Sequence, residues 1–562
     1  IGWCDWSSDV CSSDLLDIGI NVDGTGTNNV SLLDTTGATL NATLDQVRIG
    51  KQNNGGGSGN GTLTYDAGTI TANNVSLAEG NRSWATIKQL GGTLTVNGNV
   101  TDGTGSSQLR IEGGTFNAGG NVSADLIVVG YDALNATMNM TGATAAIGSA
   151  SSRVDLMVGR REHNTGTTFQ GTLDASAVGS LTAYLDEFNV GTIPGDVGGS
   201  QGQPRGVVLL GASNFIDANI IRIGDSPSVG LGGFNNRIVM GADNTIITPT
   251  LIVGGNKSDG TPGSSLEFAA GGKLVLNSAA SRGDVWVGRE TVGTGGGAAG
   301  LMDLSGATAD SEMWIDQLVI GSKPNSAGGT TKGVVNLGGG TMDVNDVILG
   351  QRNDSGSAGR VQGTFNLDGG TLIAGTIRKG SGNGNSAQDI AAFNFNAGRL
   401  AVGTFGTSAQ PFDLDNLGTG TLAPGNSIGT TTVWGNYAQD ASATLEIEMD
   451  GAMSDLLTVY GDVSLDGGTL NVLLGSIQEG GRWLILSNEG QNAIDGTFTD
   501  LSEGALFYSP DNSVLGLRIT YVGGDGNDIE LTAVPEPGTL TLLAMAVASA
   551  GGYIRRRRRA AA

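Results

Sequence analysis

An apolar tetrad that ends in glycine recurs along most of this chain and constrains its fold more than any other feature. The clear copies are VRIG at Gly50, IVVG at Gly130, LMVG at Gly159, FNVG at Gly191, IRIG at Gly224, LIVG at Gly254, VWVG at Gly288, LVIG at Gly321 and VILG at Gly350. From Gly130 onward the glycines are 29 to 34 residues apart, and TIRKG at Gly380 is a degenerate last copy. The interval from Gly50 to Gly130 is long enough for one or two degenerate copies. This regular period predicts a repeat architecture.

Each copy continues with a polar loop and then a strand-turn-strand pattern, as in GVVNLGGGTMDV and GTFNLDGGTLIA. Alternating apolar and polar residues put one face of each strand inward, and the paired glycines mark turns that need a positive φ. One such unit cannot bury its apolar face alone, so stacked copies must share a core. We therefore predict an all-β right-handed parallel β-helix, a solenoid of repeats of about 31 residues, over residues 16–400. A β-propeller is the alternative, although its blades usually need about 40 residues and four strands.

Two sets of charged residues fall at fixed places relative to the tetrad. Aspartates precede the glycine by four or five residues in seven copies, at Asp45, Asp125, Asp155, Asp186, Asp284, Asp316 and Asp346. Basic residues follow it within two residues in five copies, at Lys51, Arg160, Arg289, Lys323 and Arg352. In a solenoid each set would stack into a column, and the aspartate column is a candidate Ca²⁺ site because Ca²⁺ prefers oxygen ligands. The alternative, which the lack of a dense carboxylate cluster in any copy favours, is that each aspartate caps a turn and each basic residue solvates a strand end.

Charge and cysteine content exclude several kinds of partner. The formal net charge is −25, and an acidic surface repels phosphate backbones, so we expect no nucleic-acid binding. Cys4 and Cys11 are the only cysteines, and both lie in IGWCDWSSDVCSSDL, which resembles translated adapter sequence. We expect residues 1–15 to be non-native, with a genuine mature N-terminus as the alternative. The rest of the chain then offers no disulfide and no thiolate metal site.

The sequence pattern changes beyond residue 400, and we predict a second β-rich region over residues 401–533. Its stretch Leu422–Gly429 reads LAPGNSIG and is followed by GNY at Gly435–Tyr437 and by SDLLTV at Ser454–Val459. These motifs resemble the end of autotransporter passenger domains, and the resemblance implies a β-helical fold. About 75 residues separate them from the tail, which is too few for the outer-membrane barrel of autotransporters. The resemblance therefore does not extend to self-translocation.

One short motif, GGDGNDIEL at Gly523–Leu531, resembles a calcium-binding nonapeptide repeat. A calcium-binding roll needs stacked copies, whereas this motif occurs once and has Glu530 where the repeat has an apolar residue. We therefore predict a turn into the last strand at this place.

The tail, residues 534–562, joins a Pro-Glu-Pro sequence to an apolar stretch and a basic cluster. Residues 540–554 carry no charge and predict a hydrophobic helix and transmembrane segment, although its length of about 22 Å is short of the hydrocarbon core of about 30 Å. The arginines behind it would stay on the cytoplasmic side. The tail resembles the PEP-CTERM sorting signal of Gram-negative bacteria at Pro535, Glu536, Pro537, Arg555, Arg556, Arg557, Arg558 and Arg559. That resemblance implies export, recognition by an exosortase-type processing enzyme, and loss of the tail on the way to the surface or matrix.

Side chains for enzymatic chemistry are scarce in this sequence. His163 is the only histidine, so no Ser-His-Asp, Cys-His or histidine-rich zinc site is available, and we expect a solvated loop residue. Trp286, Trp314 and Trp434 are scattered, and we interpret them as core or strand residues rather than as sugar platforms. We therefore predict no catalytic residue, no cofactor and no enzymatic activity, with Ca²⁺ as the one metal ion to consider.

These features predict an exported structural or adhesive protein that is transiently anchored in the inner membrane and then sorted to the cell surface or extracellular matrix. There it would associate with exopolysaccharide through many weak contacts, so that avidity replaces one strong site. The alternative is a carbohydrate-active β-helix enzyme, a polysaccharide lyase or hydrolase. That alternative requires one groove with clustered carboxylates and a basic residue, whereas the aligned copies look alike.

Overall fold

The computed structural model describes residues 14–21, 28–52, 56–163, 165–193, 203–225, 235–256, 258, 263–291, 297–323, 329–352, 359–509, 512–534 and 537–560. Over these residues the chain is built from β-strands and one C-terminal helix, which confirms the predicted all-β class. Two compact units divide it: unit 1 is Ile1–Gly370 with Lys379–Phe393, and unit 2 is Thr371–Arg378 with Asn394–Ala562. The predicted domain bounds stay predictions. Of the segment expected to be non-native, residues 1–13 lie outside the described residues.

The strands up to residue 367 are β1 (Leu15–Asn21), β2 (Asn29–Asp34), β3 (Thr39–Gln52), β4 (Gly59–Tyr65), β5 (Ala67–Glu79), β6 (Trp84–Gln89), β7 (Thr93–Val96), β8 (Val100–Asp102), β9 (Ser106–Ile111), β10 (Gly114–Ala118), β11 (Leu126–Tyr131), β12 (Ala136–Ile147), β13 (Val154–Arg160), β14 (Phe169–Thr192), β15 (Pro204–Leu209), β16 (Ser213–Ile223), β17 (Arg237–Met240), β18 (Asp243–Ile247), β19 (Thr250–Val253), β20 (Ser264–Phe268), β21 (Lys273–Leu276), β22 (Gly283–Arg289), β23 (Ala298–Leu304), β24 (Glu312–Lys323), β25 (Thr330–Leu337), β26 (Thr341–Arg352) and β27 (Arg360–Leu367).

The remaining elements are β28 (Thr371–Lys379), β29 (Ile390–Phe395), β30 (Arg399–Phe405), β31 (Leu414–Asn416), β32 (Thr421–Leu422), β33 (Thr430–Val433), β34 (Tyr437–Gln439), β35 (Thr444–Asp450), β36 (Met453–Ser454), β37 (Leu456–Val459), β38 (Val463–Asp466), β39 (Thr469–Leu474), β40 (Arg482–Asn488), β41 (Asp495–Thr497), β42 (Leu506–Ser509), β43 (Asn512–Gly523), β44 (Asp528–Val534) and α1 (Pro537–Ala560).

Parallel pairing between successive repeats organises unit 1. β23 pairs with β25 and β25 with β27, so that Gly300 lies beside Gly333 and Gly333 beside Gly363, at steps of 33 and 30 residues. A second row of pairs runs through the tetrad strands β11, β13 and the end of β14, and a third through the middle of β14, β16 and β18. Parallel pairing at an offset of one repeat is what a solenoid requires, and it differs from the antiparallel pairing of a propeller blade. The right-handed winding stays a prediction.

The tetrad fills the core of unit 1 because its first and third residues point inward. The residue directly before the glycine is 0% exposed in a column of eight residues, Val129, Val158, Val190, Ile223, Val253, Val287, Ile320 and Leu349. Residues two positions earlier form a second buried column, which includes Ile127, Leu156 and Phe188. Burying an aliphatic side chain of this size contributes about 2 kcal/mol, so these two columns stabilise the stack directly.

The tetrad glycine is required by its backbone conformation. From Gly130 to Gly350 each of these glycines has a φ between 66° and 79°, the left-handed region that other residues avoid. A Cβ atom on Gly288 would lie 2.2 Å from the carbonyl oxygen of Lys332, so there is also no space for a side chain. The recurrent glycine therefore marks a sharp corner at which one repeat passes close to the next.

The repeats before residue 130 differ from those predicted. Gly50 belongs to the row β1–β3–β5, whereas Gly130 belongs to the row β4–β6–β9–β11. In that second row Asn60 pairs with Trp84, at a step of 24 residues, and Trp84 with Ser106, at a step of 22. The interval between the first two tetrads thus holds repeats shorter than the predicted period, which carry no tetrad glycine.

Unit 2 also consists mainly of parallel pairs, with shorter steps. Leu414 pairs with Tyr437 and Tyr437 with Val463, at steps of 23 and 26 residues. The carboxylate of Asp455, within SDLLTV, accepts a 2.8 Å hydrogen bond from the N–H of Gly429, the last residue of LAPGNSIG. The two motifs that resemble autotransporter passengers are therefore joined by one buried side chain, and burial raises the pKa of Asp455 to about 6.

Unit 2 ends in antiparallel strands and a helix. β44 pairs with β40 and β43, and Gly523 pairs with Asp528 across the turn at residues 524–527, which confirms the turn predicted for GGDGNDIEL. The helix α1 contains the predicted apolar segment 540–554, and Met545, Val547, Tyr553 and Ile554 are exposed on it. No helix in the described part of the chain is both long enough and apolar enough to cross a membrane, so the predicted transmembrane segment is not supported.

Candidate functional site

A group of chemically versatile side chains surrounds a cavity of about 450 Å³ in the early repeats of unit 1. We call it the His163 pocket. Successive parallel strands build it: Lys88 on β6 pairs in register with Arg110 on β9, and Tyr131 ends β11. Its lining consists of Thr86, Lys88, Gln108, Arg110, Glu112, Tyr131, Asp132, Ala133, Leu134 and His163.

Asp132 holds the floor of the pocket together. Its backbone has a φ of 54°, an uncommon conformation for a residue with a side chain. One carboxylate oxygen accepts the backbone N–H groups of Glu162 and His163 at 2.8 and 2.9 Å. The other lies 2.7 Å from Nδ1 of His163. One carboxylate therefore fixes both the position of the next repeat's loop and the orientation of its imidazole.

A buried neighbour supports the same loop. The guanidinium Nε of Arg161 donates a 3.0 Å hydrogen bond to the carbonyl oxygen of His163, and the Arg161 side chain is fully buried. The His163 side chain itself is exposed, as the sequence predicted for a loop residue. It is nevertheless held between Asp132 and Arg161, so its imidazole faces the pocket with a defined orientation.

Tyr131 and Arg110 form the wall of the pocket. The Arg110 guanidinium carbon lies 4.6 Å from the centre of the Tyr131 ring, a cation–π contact, and Nε of Arg110 lies 2.8 Å from a carboxylate oxygen of Glu112. The Tyr131 hydroxyl donates a 2.5 Å hydrogen bond to Glu162. Burial, followed by this bond to Glu162, raises the pKa of Tyr131 well above its usual value, so the phenol stays protonated.

This arrangement can orient a polar ligand and can exchange a proton with it. A histidine held by a carboxylate is a usable proton acceptor, and Arg110 and Lys88 can stabilise negative charge. Hydroxyl and amide groups of Thr86 and Gln108 add hydrogen-bonding capacity on the same side. The pocket thus differs from the other repeats, contrary to the expectation that all copies are alike.

A second cavity, of about 410 Å³, lies further along unit 1. Arg222 stands between two carboxylates there, 3.2 Å from Glu187 and 3.8 Å from Asp225. The guanidinium of Arg289 lies 4.4 Å from the Trp286 ring centre, and burial lowers the pKa of Arg289. Three of its charged side chains, Glu187, Arg222 and Asp225, are thus paired with one another.

The predicted aspartate column divides into two sets. Asp45, Asp125, Asp186 and Asp316 are five residues before the glycine and are exposed, whereas Asp155, Asp284 and Asp346 are four residues before it and are half-buried. Asp186 and Asp316 each accept an amide hydrogen bond from the next repeat, from Asn219 at 2.8 Å and Asn345 at 2.7 Å. The closest stacked pair is Asp155 with Glu187, where burial and the neighbouring charge raise the pKa of Asp155.

Calcium binding by these aspartates stays a prediction. Among the described residues, no group of three or more His, Cys, Asp or Glu side chains is arranged to hold a metal ion. Several aspartates instead bond main-chain or amide groups nearby; Asp125, for example, accepts a 2.9 Å hydrogen bond from the N–H of Ser107.

The basic residues after the tetrad do not all solvate strand ends. Lys51 pairs with Glu79 at 2.6 Å, and Arg160 pairs with Glu162. Lys323 and Arg352 are instead buried in ion pairs with Glu290 and Asp389. These two side chains reverse the expectation because they lie inside the protein rather than at its surface.

The tryptophans occupy strands or their ends. Trp286 on β22 and Trp314 on β24 are half-buried, and Arg282 lies 5.2 Å from the ring centre of Trp314. Trp434 follows β33 and stacks on the exposed Tyr460, with ring centres 4.0 Å apart. Trp434 is therefore not a core residue.

Sequence reasoning missed Arg110, Glu112, Tyr131 and Asp132 as a group. Arg110 and Glu112 lie in the short repeats before Gly130, which carry no tetrad glycine, so the periodicity did not align them with Tyr131 and Asp132. The available signal was YDALN directly after Gly130, where a tyrosine and an aspartate replace the usual Lys or Arg.

The tail is similar to a known family model. Residues 533–559 match the model described as a PEP-CTERM protein-sorting motif, and no curated protein matches the chain. Pro535 and Glu536 lie outside the described residues, Pro537 begins α1, and Arg555–Arg559 lie in its last turns, with the Arg557 guanidinium 5.5 Å from the Tyr553 ring centre. The chain thus carries a PEP-CTERM sorting motif at its C-terminal end, which implies export through an exosortase system and sorting to the cell surface.

Proposed function

We infer that this chain is a non-enzymatic structural or adhesive protein of the cell surface or extracellular matrix that associates with extracellular polysaccharide. The sorting motif at residues 533–559 supports export and processing by an exosortase. The observation that carries the rest of the proposal is the repetition of hydrogen-bonding side chains on outward positions of successive strands.

Rows of amide and carboxylate groups illustrate this repetition. Asn73 donates a hydrogen bond to the exposed Asp45 at 2.8 Å, and Asn97 donates to Asn73 at 3.2 Å. Further along, Asn366 donates to Asn336 at 2.7 Å in a different row, on β25 and β27. Paired strands are about 4.8 Å apart, so each row presents polar groups at a short, regular spacing.

A regular row suits a polymeric ligand because each sugar meets a similar set of groups. Single contacts of this kind are weak, but contacts made by one polymer along one row add through a high effective concentration. The net charge of −25 leaves neutral glycans, or a local basic patch, as the means of retention.

The test is retention of the full chain on immobilised neutral and acidic polysaccharides, with and without Ca²⁺, while released reducing and unsaturated ends are assayed. We expect retention without release. Retention by none of the polymers would contradict the proposal, and a requirement for Ca²⁺ would assign a role to the aspartates before the tetrad.

The His163 pocket favours one second candidate, a carbohydrate-active enzyme. The imidazole of His163, held by Asp132, lies in one cavity with Arg110 and Glu112. An enzyme requires one such groove that differs from the other repeats. Release of sugar ends above a heat-inactivated control, reduced about 100-fold or more by His163→Gln, would establish it. Release that His163→Gln leaves unchanged would contradict it.

A further inference from the structure

Charges in the His163 pocket are layered by depth. The carboxylate side chains are largely buried, with Glu112 at 4% and Asp132 at 13% exposure. The basic side chains above them are more accessible: Arg110 is 22%, Lys88 41% and His163 71% exposed. Solvent therefore meets hydrogen-bond donors and positive charge first, in a chain whose net charge is −25.

The deep carboxylates are already occupied. Glu112 lies 2.8 Å from Nε of Arg110 and 3.7 Å from Nζ of Lys88. Asp132 accepts two main-chain N–H groups and contacts the His163 ring. Their function is to hold the basic groups in place, because a buried carboxylate engaged in this way has little capacity left for a ligand.

We propose that the His163 pocket binds the carboxylate of a uronic acid unit in an acidic polysaccharide. Lys88 and His163 contact the carboxylate at the rim, and Arg110 adds positive charge behind them. Thr86 and Gln108 offer hydrogen bonds to sugar hydroxyls, and Leu134 lines the apolar side. The proposal rests on the association with polysaccharide inferred above and names the sugar chemistry that one site selects.

The size and chemistry of the cavity fit this ligand. A volume of about 450 Å³ lies within the usual range for small-molecule sites of about 300–1,000 Å³. Of the basic groups, Lys88 is the most adaptable because its 3.7 Å separation from Glu112 is long for an ion pair. A ligand carboxylate can therefore engage Lys88 without breaking a tight internal bond.

The experiment compares the full chain on immobilised polygalacturonate with the same polymer after methyl esterification, which removes the charge and keeps the sugar. Lys88→Gln and His163→Gln are the pocket variants. Lys332→Gln, at an exposed position on β25, is the matched control for loss of one positive charge. Circular dichroism of each variant establishes that the fold is retained.

We expect esterification and each pocket substitution to weaken retention about fivefold, the control to change it less than twofold, and added salt to weaken binding of the unesterified polymer. Equal retention of both polymers, or retention that the pocket variants do not change, would overturn the inference while leaving polysaccharide association intact. Retention of no polymer in the wider panel would overturn both proposals.

Discussion

The early repeats of unit 1, residues 84–163, and its late repeats, residues 283–352, place charged side chains differently at the same point of the repeat. Two residues after the tetrad glycine, the early repeats have Asp132, which holds the exposed His163 at the edge of a cavity. The late repeats have Glu290 and Lys323 there, 2.8 Å apart and with both side chains 0% exposed. Charged side chains at this point of the repeat can thus either line a solvent-exposed cavity or form a buried ion pair.

The difference follows from the partner that each charge finds. In the late repeats Glu290 and Lys323 bond each other directly, and Thr331 adds a 3.0 Å hydrogen bond to the same carboxylate oxygen of Glu290. In the early repeats Asp132 instead bonds main-chain N–H groups and an imidazole, and the buried Arg161 at the same point of the next repeat donates to a main-chain carbonyl oxygen, while Lys88 and Arg110 lie nearer the surface. Availability to a ligand is therefore decided by pairing between repeats rather than by the number of charges.

The largest predicted effect on stability comes from breaking the buried ion pair of Glu290 and Lys323. Glu290→Gln leaves the Lys323 ammonium buried without its carboxylate, and we expect the free energy of unfolding to fall by about 3–5 kcal/mol. Equilibrium urea unfolding followed by circular dichroism measures it. In the early repeats the matched change His163→Gln should alter that free energy by less than about 0.5 kcal/mol, because its side chain is exposed.

A double variant separates pairing from packing. Glu290→Leu combined with Lys323→Met removes both buried charges, and we expect it to recover most of the stability lost by Glu290→Gln. If Glu290→Gln alone were as stable as the parent chain, the buried ion pair of the late repeats would not differ in its effect on stability from the exposed His163 of the early repeats.

The next effect concerns the tetrad corner itself. Gly288→Ala places a Cβ 2.2 Å from the Lys332 carbonyl oxygen at a φ of 72°, and we expect a loss of about 3 kcal/mol in unfolding free energy. In the row of Gly50, the early residue Ala78 occupies the corresponding corner with a φ of 50°.

Ala78 provides the reverse experiment. Ala78→Gly relieves a left-handed alanine, which is unfavourable by about 1 kcal/mol, but it also loosens the unfolded chain, so the net change should be small. We therefore expect Gly288→Ala to change the unfolding free energy much more than Ala78→Gly does. If the two changes were of equal size, the late repeats would have no less space for a Cβ atom at this position than the early repeat has.

The sequence predicted the parts of this fold that depend on period. The tetrad identified the inward columns, such as Val287 and Ile320, because each copy has the same apolar spacing. The tetrad did not predict the repeats between Gly50 and Gly130. Their steps are shorter, the two glycines belong to different rows of strands, and Ala78 occupies a position that glycine has in other repeats. A corner needs a left-handed conformation, and glycine is only its commonest sequence marker.

The candidate site was less predictable because its residues come from different repeats. Arg110, Tyr131 and His163 are brought together by strand register, and neighbours in the sequence do not indicate which repeats share a cavity. The aspartates before the tetrad were recognised individually, but a shift of one position separates the exposed ones from the half-buried ones. Register therefore carries the information that a single sequence lacks.

A smaller effect tests whether early and late repeats are otherwise equivalent. Six residues before the tetrad glycine, Arg153 and Arg282 each join three repeats: Arg282 donates to the carbonyl oxygens of Ile315 at 3.1 Å and Asp343 at 3.0 Å. Arg153 donates in the same way to Leu185 at 2.9 Å and Asp217 at 3.0 Å.

We expect Arg282→Met and Arg153→Met each to lower the unfolding free energy by about 2 kcal/mol, because each leaves carbonyl oxygens of two neighbouring repeats without a charged donor. Urea unfolding of the two variants side by side is the measurement. Effects that differ by more than about 1 kcal/mol would mean that the early and late repeats differ before the glycine as well as after it.

The smallest effect is a pH dependence confined to the early repeats. Burial, with a further contribution from the Asp125 charge, raises the pKa of Asp102 to about 6, from 3.8 for an unperturbed aspartate. A raised pKa means that the folded protein holds this proton more tightly than the unfolded chain. The stability that Asp102 contributes is thus complete below about pH 3.8 and is lost as the pH rises through about 6.

Asp102→Asn keeps the group neutral at every pH, so above pH 6 the variant should be more stable than the parent by about 1 kcal/mol after solvent screening is allowed for. The advantage should disappear on acidification toward pH 4. Urea unfolding at a series of pH values measures it, with Asp316→Asn, at an exposed position on β24 in the late repeats, as the control for loss of one negative charge. If the control shows the same pH profile, the effect belongs to the chain's overall acidity, and the early repeats hold their charges no differently from the late ones.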